Sequence, residues 1–187
     1  DGAVVQTKEP GGTELGDLIR EILFNKIGTK NLSEGVLDCL FLASHLQNWH
    51  SVVKPALDAG KIVVSDRWRY SQLAYATQRV VPKQIAVAYE ECSGRNADLL
   101  LFLHGDTEIL TARANSRSTE DHQAGKTWND TKTLAQIQKA YVDLFSHLPE
   151  YRAICIDGKL PDDVWSDVKI HVGAAVAKWS SVRANEE

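Results

Sequence analysis

A short apolar strand that ends abruptly in polar and charged residues is the feature that most limits how this chain can fold. Residues 62–64 (IVV) form an apolar run, and Ser65 and Asp66 follow it at once. Such a run predicts a parallel strand that is buried on both faces. In open α/β sheets, ligands bind just beyond the carboxyl ends of parallel strands. Asp66 and Arg67 are therefore candidates for a functional site, although a structural ion pair between them is an equally good explanation.

Strand and helix patterns alternate along the rest of the chain. Thr13 is a good N-cap for the first helix, and apolar residues then recur at helical spacing. This alternation predicts an α/β fold, a three-layer αβα arrangement with a central parallel sheet. The predicted strands are residues 3–7, 62–64, 98–103 and 152–156, and the predicted helices are residues 13–23, 33–57, 70–76, 82–91, 106–113, 131–147 and 161–179.

Size, charge and cysteine content narrow the classes of function. The chain has 187 residues, which predicts a single domain over residues 1–187. A net charge of −4 disfavours non-specific nucleic-acid binding, and no apolar run reaches the ~20 residues of a membrane span. Cys39, Cys92 and Cys155 are too few and too scattered for a disulfide scaffold, and no CxxC occurs. We therefore expect a cytoplasmic protein without nucleic-acid or membrane partners and without a zinc site.

Two polar segments interrupt the pattern of strands and helices. Residues 115–130 contain Gly125 and show no apolar period, which predicts a long mobile loop. Long loops in compact domains are usually functional or disordered. We expect this loop to be a lid within the domain, and we expect residues 180–187 to form a polar tail.

Four sequence blocks carry a resemblance that extends from Val4 to about Ile156. They are TKEPGGTELGDLIREIL, LFLASHLQNWHSVVKPAL, SDRWRYSQLAY and ADLLLFL, in this order. In these residues and their spacing the chain resembles the thymidylate kinase family of P-loop nucleoside monophosphate kinases. The resemblance implies a P-loop kinase fold and transfer of the γ-phosphoryl group of ATP to dTMP, with Mg²⁺, to give dTDP. Such a reaction needs positioning and charge neutralisation more than covalent chemistry.

The resemblance assigns one group of candidates to the reacting phosphates. Glu9 matches the family glutamate that faces the acceptor nucleotide and the hydration shell of the metal. Arg20 and Arg67 match the arginines that hold the acceptor phosphate, where two guanidinium groups bind the anion bidentately and neutralise charge. Asp66 would orient Arg67 or reach the hydration shell of the metal. No side chain is predicted to be a direct ligand of a protein-bound metal.

A second group of candidates surrounds the expected place of the thymine base and the sugar. Phe41 matches the ring that stacks on thymine, Ser71 a residue beside the base, and Tyr75 the ring under the sugar. Helical spacing alone would assign Phe41 and Tyr75 to ordinary packing, so only the resemblance favours binding. His45 stands where the family usually has an arginine that reads the base, and Ala76 where it often has glutamine. Both differences weaken recognition of the base edge and leave the base preference open.

The lid supplies further candidates. Family lids bring arginines to the transferring phosphate, as closing lids do in other enzymes, and Arg113 and Arg117 are the matching residues here. Residues four apart lie on one helical face, so both side chains could point the same way, but a solvated charged face is nearly as good an explanation. Asp121 and Lys126 are weaker candidates, because the match is loose in this segment.

A phosphate-binding GxxxxGK[ST] motif does not occur in the sequence. This motif supplies the backbone cradle for the ATP phosphates, a lysine, and a Ser/Thr ligand for Mg²⁺. In the family it follows the first strand, which lies at the centre of the sheet, so we expect a P-loop kinase fold that lacks this first, central strand. Each buried backbone group left unpaired would cost roughly 1–3 kcal/mol. We therefore expect about 25–35 residues of strand, loop and helix to precede Asp1.

Three hypotheses about activity follow from these residues. An active thymidylate kinase is favoured by the presence of both acceptor-phosphate arginines, Arg20 and Arg67. A catalytically inactive nucleotide-binding or structural module is favoured slightly by His45 and Ala76. A kinase for another deoxynucleoside monophosphate is a variant of the first hypothesis, since the base-edge residues differ.

The long helix predicted over residues 33–57 is the candidate for a homodimer interface. It carries Trp49, Val52 and Val53, which could form a two-fold contact. A helix buried within one chain explains the same residues comparably well.

Overall fold

The computed structural model describes residues 3–24, 32–77, 87–88, 94–116 and 130–184. Strands and helices alternate through them, which confirms the predicted α/β class. The helices that the structure describes are α1 (Glu14–Leu23), α2 (Glu34–Asn48), a π-helical turn (Trp49–Val53), α3 (Lys54–Asp58), α4 (Arg69–Ala76), α5 (Thr107–Ser116), α6 (Thr131–Phe145) and α7 (Pro161–Ala184), and the strands are β1 (Val4–Lys8), β2 (Ile62–Asp66), β3 (Leu100–His104) and β4 (Tyr151–Cys155).

The strands form two parallel pairs. In the first pair β1 runs beside β2, with Val4 opposite Ile62. In the second pair β3 runs beside β4, with Leu100 opposite Tyr151. Within the described part of the chain, no strand joins the two pairs into one sheet. The parallel direction of both pairs agrees with the predicted parallel sheet.

Side-chain caps fix the starts of three helices. The Thr13 hydroxyl accepts from the Gly16 N–H at 2.9 Å at the start of α1. The Asp106 carboxylate accepts from the N–H groups of residues 108 and 109 at the start of α5. Asp130 accepts from the Thr133 N–H at 2.9 Å at the start of α6. Each cap satisfies an N–H group that the helix leaves unpaired. The predicted cap of α1 is thereby confirmed.

The long helix predicted over residues 33–57 is interrupted. Residues 49–53 form a π-helical turn between α2 and α3. Pro55 lies in the first turn of α3, where its missing N–H costs little. Single π-helical turns occur frequently at functional sites, and this one directly follows the face of α2 that carries several candidate residues.

Several predicted boundaries were wrong, and others lie outside the described residues. Residues 115 and 116 belong to the last turn of α5 and residue 130 caps α6, whereas residues 117–129 of the predicted lid lie outside the described residues. α7 extends to Ala184, so residues 180–184 are helical and not part of a polar tail. Polar composition predicted a loop and a tail there, but an exposed helix has the same composition. The predicted helix over residues 82–91 lies largely outside the described residues.

One apolar cluster fixes α4 against β3 and α6. The ring of Phe102 in β3 stacks on Tyr141 in α6, with centroids 4.4 Å apart. Tyr70 in α4 packs edge-on against Phe145 in α6 at 5.1 Å. Because α4 directly follows β2, this cluster fixes the turn after β2 in place. The buried members are Tyr70, Ala74, Phe102, Ile137, Ala140, Tyr141 and Phe145. Among the described helices, none is both long enough and apolar enough to cross a bilayer.

Candidate functional site

The carboxyl ends of β1 and β2 bring two predicted site residues side by side. Glu9 directly follows β1, and its N–H donates to the carbonyl oxygen of Asp66 at 3.0 Å. Asp66 is exposed, whereas Glu9 is only 6% exposed. The polar edge that the sequence predicted therefore contains one solvated and one buried carboxylate, and the two are suited to different tasks.

The buried carboxylate of Glu9 is held by side chains from α2. Nδ1 of His45 lies 2.9 Å from each carboxylate oxygen of Glu9. The Asn48 amide donates to Oε1 of Glu9 at 3.1 Å, and the Thr7 hydroxyl donates to the Asn48 carbonyl oxygen at 2.7 Å. His45 is 1% exposed, so its ring lies beneath the surface of the site. The predicted contact of His45 with a base therefore stays untested, while its contact with Glu9 is direct.

The loop that follows Glu9 packs closely on α1 and α2. The Gly11 N–H donates to the Ser44 hydroxyl at 3.2 Å, which joins the loop to α2. Arg20 in α1 donates from Nη1 to the Pro10 carbonyl at 3.2 Å, and its guanidinium lies 4.5 Å from the centre of the Phe24 ring. The predicted phosphate-binding Arg20 is thus placed at the same loop as Glu9.

Arg67 occupies the turn between β2 and α4 with a strained backbone. Its φ of 70° is a conformation that costs a non-glycine residue energy and that occurs often at functional sites. Nη1 lies 3.5 Å from the Tyr75 hydroxyl oxygen, and the guanidinium carbon lies 5.5 Å from the centre of the Tyr75 ring. Partial desolvation acts to lower the pKa of Arg67, which is exposed, but the nearby Tyr75, Tyr141 and Asp66 raise it above its ordinary value. The guanidinium therefore keeps its positive charge.

Ser71 is joined to a residue that the sequence did not single out. Its hydroxyl oxygen lies 2.6 Å from the hydroxyl oxygen of Tyr141 in α6, and both residues are buried. Burial raises the pKa of Tyr141, and the hydrogen bond with Ser71 offsets part of that effect. In the sequence, Tyr141 looks like an ordinary core position of α6, so periodicity gives no signal of this contact.

Trp68 is a second residue that sequence reasoning missed. Its ring centroid lies 4.4 Å from that of His45 and 6.2 Å from that of Trp49. These contacts join the turn after β2 to the buried face of α2. Trp68 lies between Arg67 and the start of α4. Its place in the block SDRWRYSQLAY was the sequence signal that could have identified it as part of the site.

The remaining predicted site residues are described only by their position and exposure, or lie outside the described residues. Phe41 is partly buried on α2, one turn before His45, and its stacking on thymine stays a prediction. Arg113 is exposed in the last turn of α5. Its role at the transferring phosphate also stays a prediction. Arg117, Asp121 and Lys126 lie outside the described residues.

The donor set of this site fits a metal bound through phosphates better than a metal held by protein alone. In the described ranges, no group of three or more His, Cys, Asp or Glu side chains could hold a metal ion. Mg²⁺ usually keeps several waters and is bound by one or two carboxylates plus substrate phosphates. The exposed carboxylate of Asp66 fits that arrangement, whereas both oxygens of Glu9 already accept hydrogen bonds.

Sequence comparison relates the chain to one enzyme family. The family model described as Thymidylate kinase matches residues 1–166. The chain is 37% identical over 129 residues to the thymidylate kinase of Protochlamydia amoebophila, an alignment that covers 66% of this chain and 56% of that protein. It is 30% identical over 168 residues to the probable thymidylate kinase of Thermococcus gammatolerans, covering 85% of this chain and 76% of that protein.

Structure comparison shows the fold. The fold matches the crystal structure of thymidylate kinase from Ehrlichia chaffeensis with a TM-score of 0.66 and 20% sequence identity, covering 94% of this chain and 81% of that chain. This likeness confirms the predicted P-loop kinase type of fold. The family model extends over most of the sequence. The chain therefore belongs to the thymidylate kinase family.

Proposed function

We propose that this chain carries the acceptor side of a thymidylate kinase, which transfers a phosphoryl group from ATP to dTMP to give dTDP. The observation that supports this most is the placement of Glu9 and Asp66 at the joined carboxyl ends of β1 and β2, with Arg67 in the turn that follows. Ligands of α/β proteins bind at this edge. The family to which the chain belongs supplies the identity of the ligand.

In this proposal the two arginines bind the phosphate of dTMP. Arg20 reaches it from α1, beside the loop after β1, and Arg67 from the turn after β2. Guanidinium groups form charge-assisted, bidentate hydrogen bonds with phosphate oxygens, and their charge lets the acceptor anion approach a second phosphate. The strained backbone of Arg67 supports this role, because such strain persists where function requires a fixed position.

The base and the sugar of dTMP would occupy the space between α2 and α4. Phe41 would stack on thymine, Ser71 would lie beside the base, and Tyr75 would lie under the sugar. The contact between Arg67 and Tyr75 supports this arrangement, because it places the sugar-side ring next to the phosphate-side cation.

ATP and Mg²⁺ complete the proposed reaction. ATP supplies the γ-phosphoryl group, and Mg²⁺ neutralises charge on the phosphates when both are bound. Asp66 is the exposed carboxylate that would reach the hydration shell of the metal, and Glu9 would face the acceptor beside it. Arg113, from the last turn of α5, and Arg117, from the predicted lid, would approach the transferring phosphate.

The wider properties of the protein are also proposals. Cys39 and Cys155 are free thiols, which supports a reducing compartment such as the cytoplasm. In the predicted dimer helix, Val53 is 5% exposed and Trp49 packs near Trp68, so both have contacts within the chain. A homodimer through residues 33–57 would have to use other side chains of that helix, and sedimentation analysis tests it.

The function is tested by measuring ADP release with ATP and Mg²⁺ while five acceptors are offered in parallel: dTMP, dUMP, dCMP, dGMP and ribothymidine monophosphate, the ribose analogue of dTMP. Turnover with dTMP above the other nucleotides is the expected result. Turnover with another deoxynucleotide would assign the differences at His45 and Ala76 to a changed base preference. Absence of turnover with all five, in protein that carries a phosphate-binding loop together with this sequence, would contradict the proposal and favour an inactive module.

A further inference from the structure

The contacts of Glu9 show that α2 controls where its carboxylate lies. A carboxylate only accepts hydrogen bonds, so Nδ1 of His45 must be the donor in the two 2.9 Å contacts. A single N–H between both oxygens fixes the rotation of the carboxylate group. Asn48 supplies a second donor to Oε1, and Thr7 in turn fixes the amide of Asn48. Glu9, His45 and Asn48 are 6%, 1% and 0% exposed, respectively, so these hydrogen bonds are shielded from water.

A direct contact of His45 with a nucleotide base conflicts with this arrangement. The imidazole packs edge-on against the ring of Trp68 at 4.4 Å, and its Nδ1 is engaged by Glu9. The residue is 1% exposed, so the ring, its Nε2 included, would have to move out of these contacts to meet a base. A buried carboxylate that loses a donor is costly, so the ring is far more stable where it lies.

We propose that His45 is a positioning residue, which holds the carboxylate of Glu9 at the floor of the acceptor site and acts on the nucleotide only through it. This inference rests on the proposed function, because the nucleotide whose binding is measured is dTMP. It assigns the difference at position 45 to the arrangement of Glu9 and not to the choice of base. His45 should therefore affect all acceptor nucleotides alike.

The contact itself is tested by NMR without nucleotide. In protein labelled with ¹⁵N at histidine, we expect a slowly exchanging proton on Nδ1 of His45, and we expect this signal to change on Glu9→Ala. A signal that the Glu9→Ala substitution leaves unchanged would overturn the inference.

Two amides of different length separate the contribution of Nδ1 from that of the rest of the ring. The amide nitrogen of Asn lies about as far from Cβ as Nδ1 of His, whereas that of Gln lies farther out. Both substitutions remove the ring contact with Trp68. The loss of that contact should therefore affect the free energy of unfolding of both variants alike, and each variant is the stability control for the other. We expect His45→Gln to weaken dTMP binding about tenfold, as loss of one hydrogen bond to a charged group predicts. His45→Asn should recover most of that loss.

A double-mutant cycle decides whether His45 acts through Glu9. Calorimetric titrations of dTMP are compared for wild type, His45→Gln, Glu9→Ala and the double variant. If His45 acts only through Glu9, the double variant binds dTMP as Glu9→Ala does, within about twofold. The ratio of dTMP to dCMP affinity should also be the same in His45→Gln and wild type.

Three outcomes of the binding measurements also overturn the inference. A tenfold effect of His45→Gln that persists in the Glu9→Ala background would show direct contact with the nucleotide. A changed ratio of dTMP to dCMP affinity would assign His45 to base recognition. A wild-type protein that binds no dTMP would contradict the proposed function together with this role, and that result is distinct from the other two because it appears before any substitution is made.

Discussion

The hydroxyl oxygen of Ser71 lies 2.6 Å from the phenol oxygen of Tyr141, and this contact joins α4 to α6. Because α4 directly follows the turn that carries Arg67, the contact couples the position of a predicted phosphate ligand to the apolar cluster. The hydroxyl that the resemblance assigned to the nucleotide base is thus already used within the protein.

Ser71→Ala and Tyr141→Phe should each lower the free energy of unfolding by about 1 kcal/mol, because each leaves a buried hydroxyl without its partner. The double variant should lose less than the sum of the two single losses, since both remove the same hydrogen bond. Urea unfolding of the four proteins measures this. Strictly additive losses would show that the contact contributes nothing.

The stability of the protein should fall in alkaline solution. Burial raises the pKa of both Tyr70 and Tyr141 in the folded protein. In the unfolded chain these phenols titrate near the ordinary value of about 10. Above that pH the unfolded chain has released protons that the folded chain keeps, so the free energy of unfolding falls as pH rises toward the folded pKa. Urea unfolding between about pH 9 and 11 should show this fall, and Tyr141→Phe should make it shallower. An unchanged slope in Tyr141→Phe would show that Tyr141 does not contribute to this pH dependence.

Two substitutions of Arg67 separate its backbone strain from its charge. Arg67→Gly and Arg67→Ala both remove the guanidinium, but only glycine adopts a φ of 70° without steric cost. We expect both variants to lose dTMP affinity equally, and we expect the glycine variant to be more stable than the alanine variant by about 1 kcal/mol. Thermal unfolding compares the two. Equal stability would show that the turn relaxes without strain.

Gly12 in the loop after β1 should not tolerate a side chain. Its φ is +77°, and a Cβ there would overlap the hydroxyl of Thr7, which is hydrogen-bonded to Asn48. Gly12→Ala should therefore lower the free energy of unfolding by about 1–3 kcal/mol. Gly173→Ala is the control, because nothing lies within 4 Å of a Cβ at that helical position. The control should gain about 1 kcal/mol from helix propensity. Loss of stability in both variants would contradict the steric argument.

The sequence was sufficient for the fold because its local signals agree with one another. The apolar run at residues 62–64 ends in charge, Thr13 caps a helix of regular period, Glu9 follows β1 and Asp66 is the last residue of β2. Parallel strands place their carboxyl ends at one edge, so the proximity of these carboxylates follows from topology. The π-helical form of the turn was not predictable, because residues 49–53 carry no glycine or proline, although Pro55 shortly after them indicates a disruption of this helix.

The side-chain partners within the site were not predictable from the sequence. His45 and Tyr141 both lie on helical faces that bury apolar and polar residues together, and periodicity does not tell which polar group meets which. Their partners, Glu9 and Ser71, come from other elements far away in sequence. Only the packing of α2 against the loop after β1, and of α4 against α6, brings them together.

The central claim, that this chain binds the phosphate of dTMP through two arginines, is tested most directly by calorimetric titration of dTMP and thymidine. Thymidine lacks the phosphate and keeps the base and the sugar. The account predicts that wild type binds dTMP at least about tenfold more tightly than thymidine, and that Arg20→Ala and Arg67→Ala each reduce this preference. Equal affinity for the two ligands, or a preference for dTMP that survives both substitutions, would contradict it.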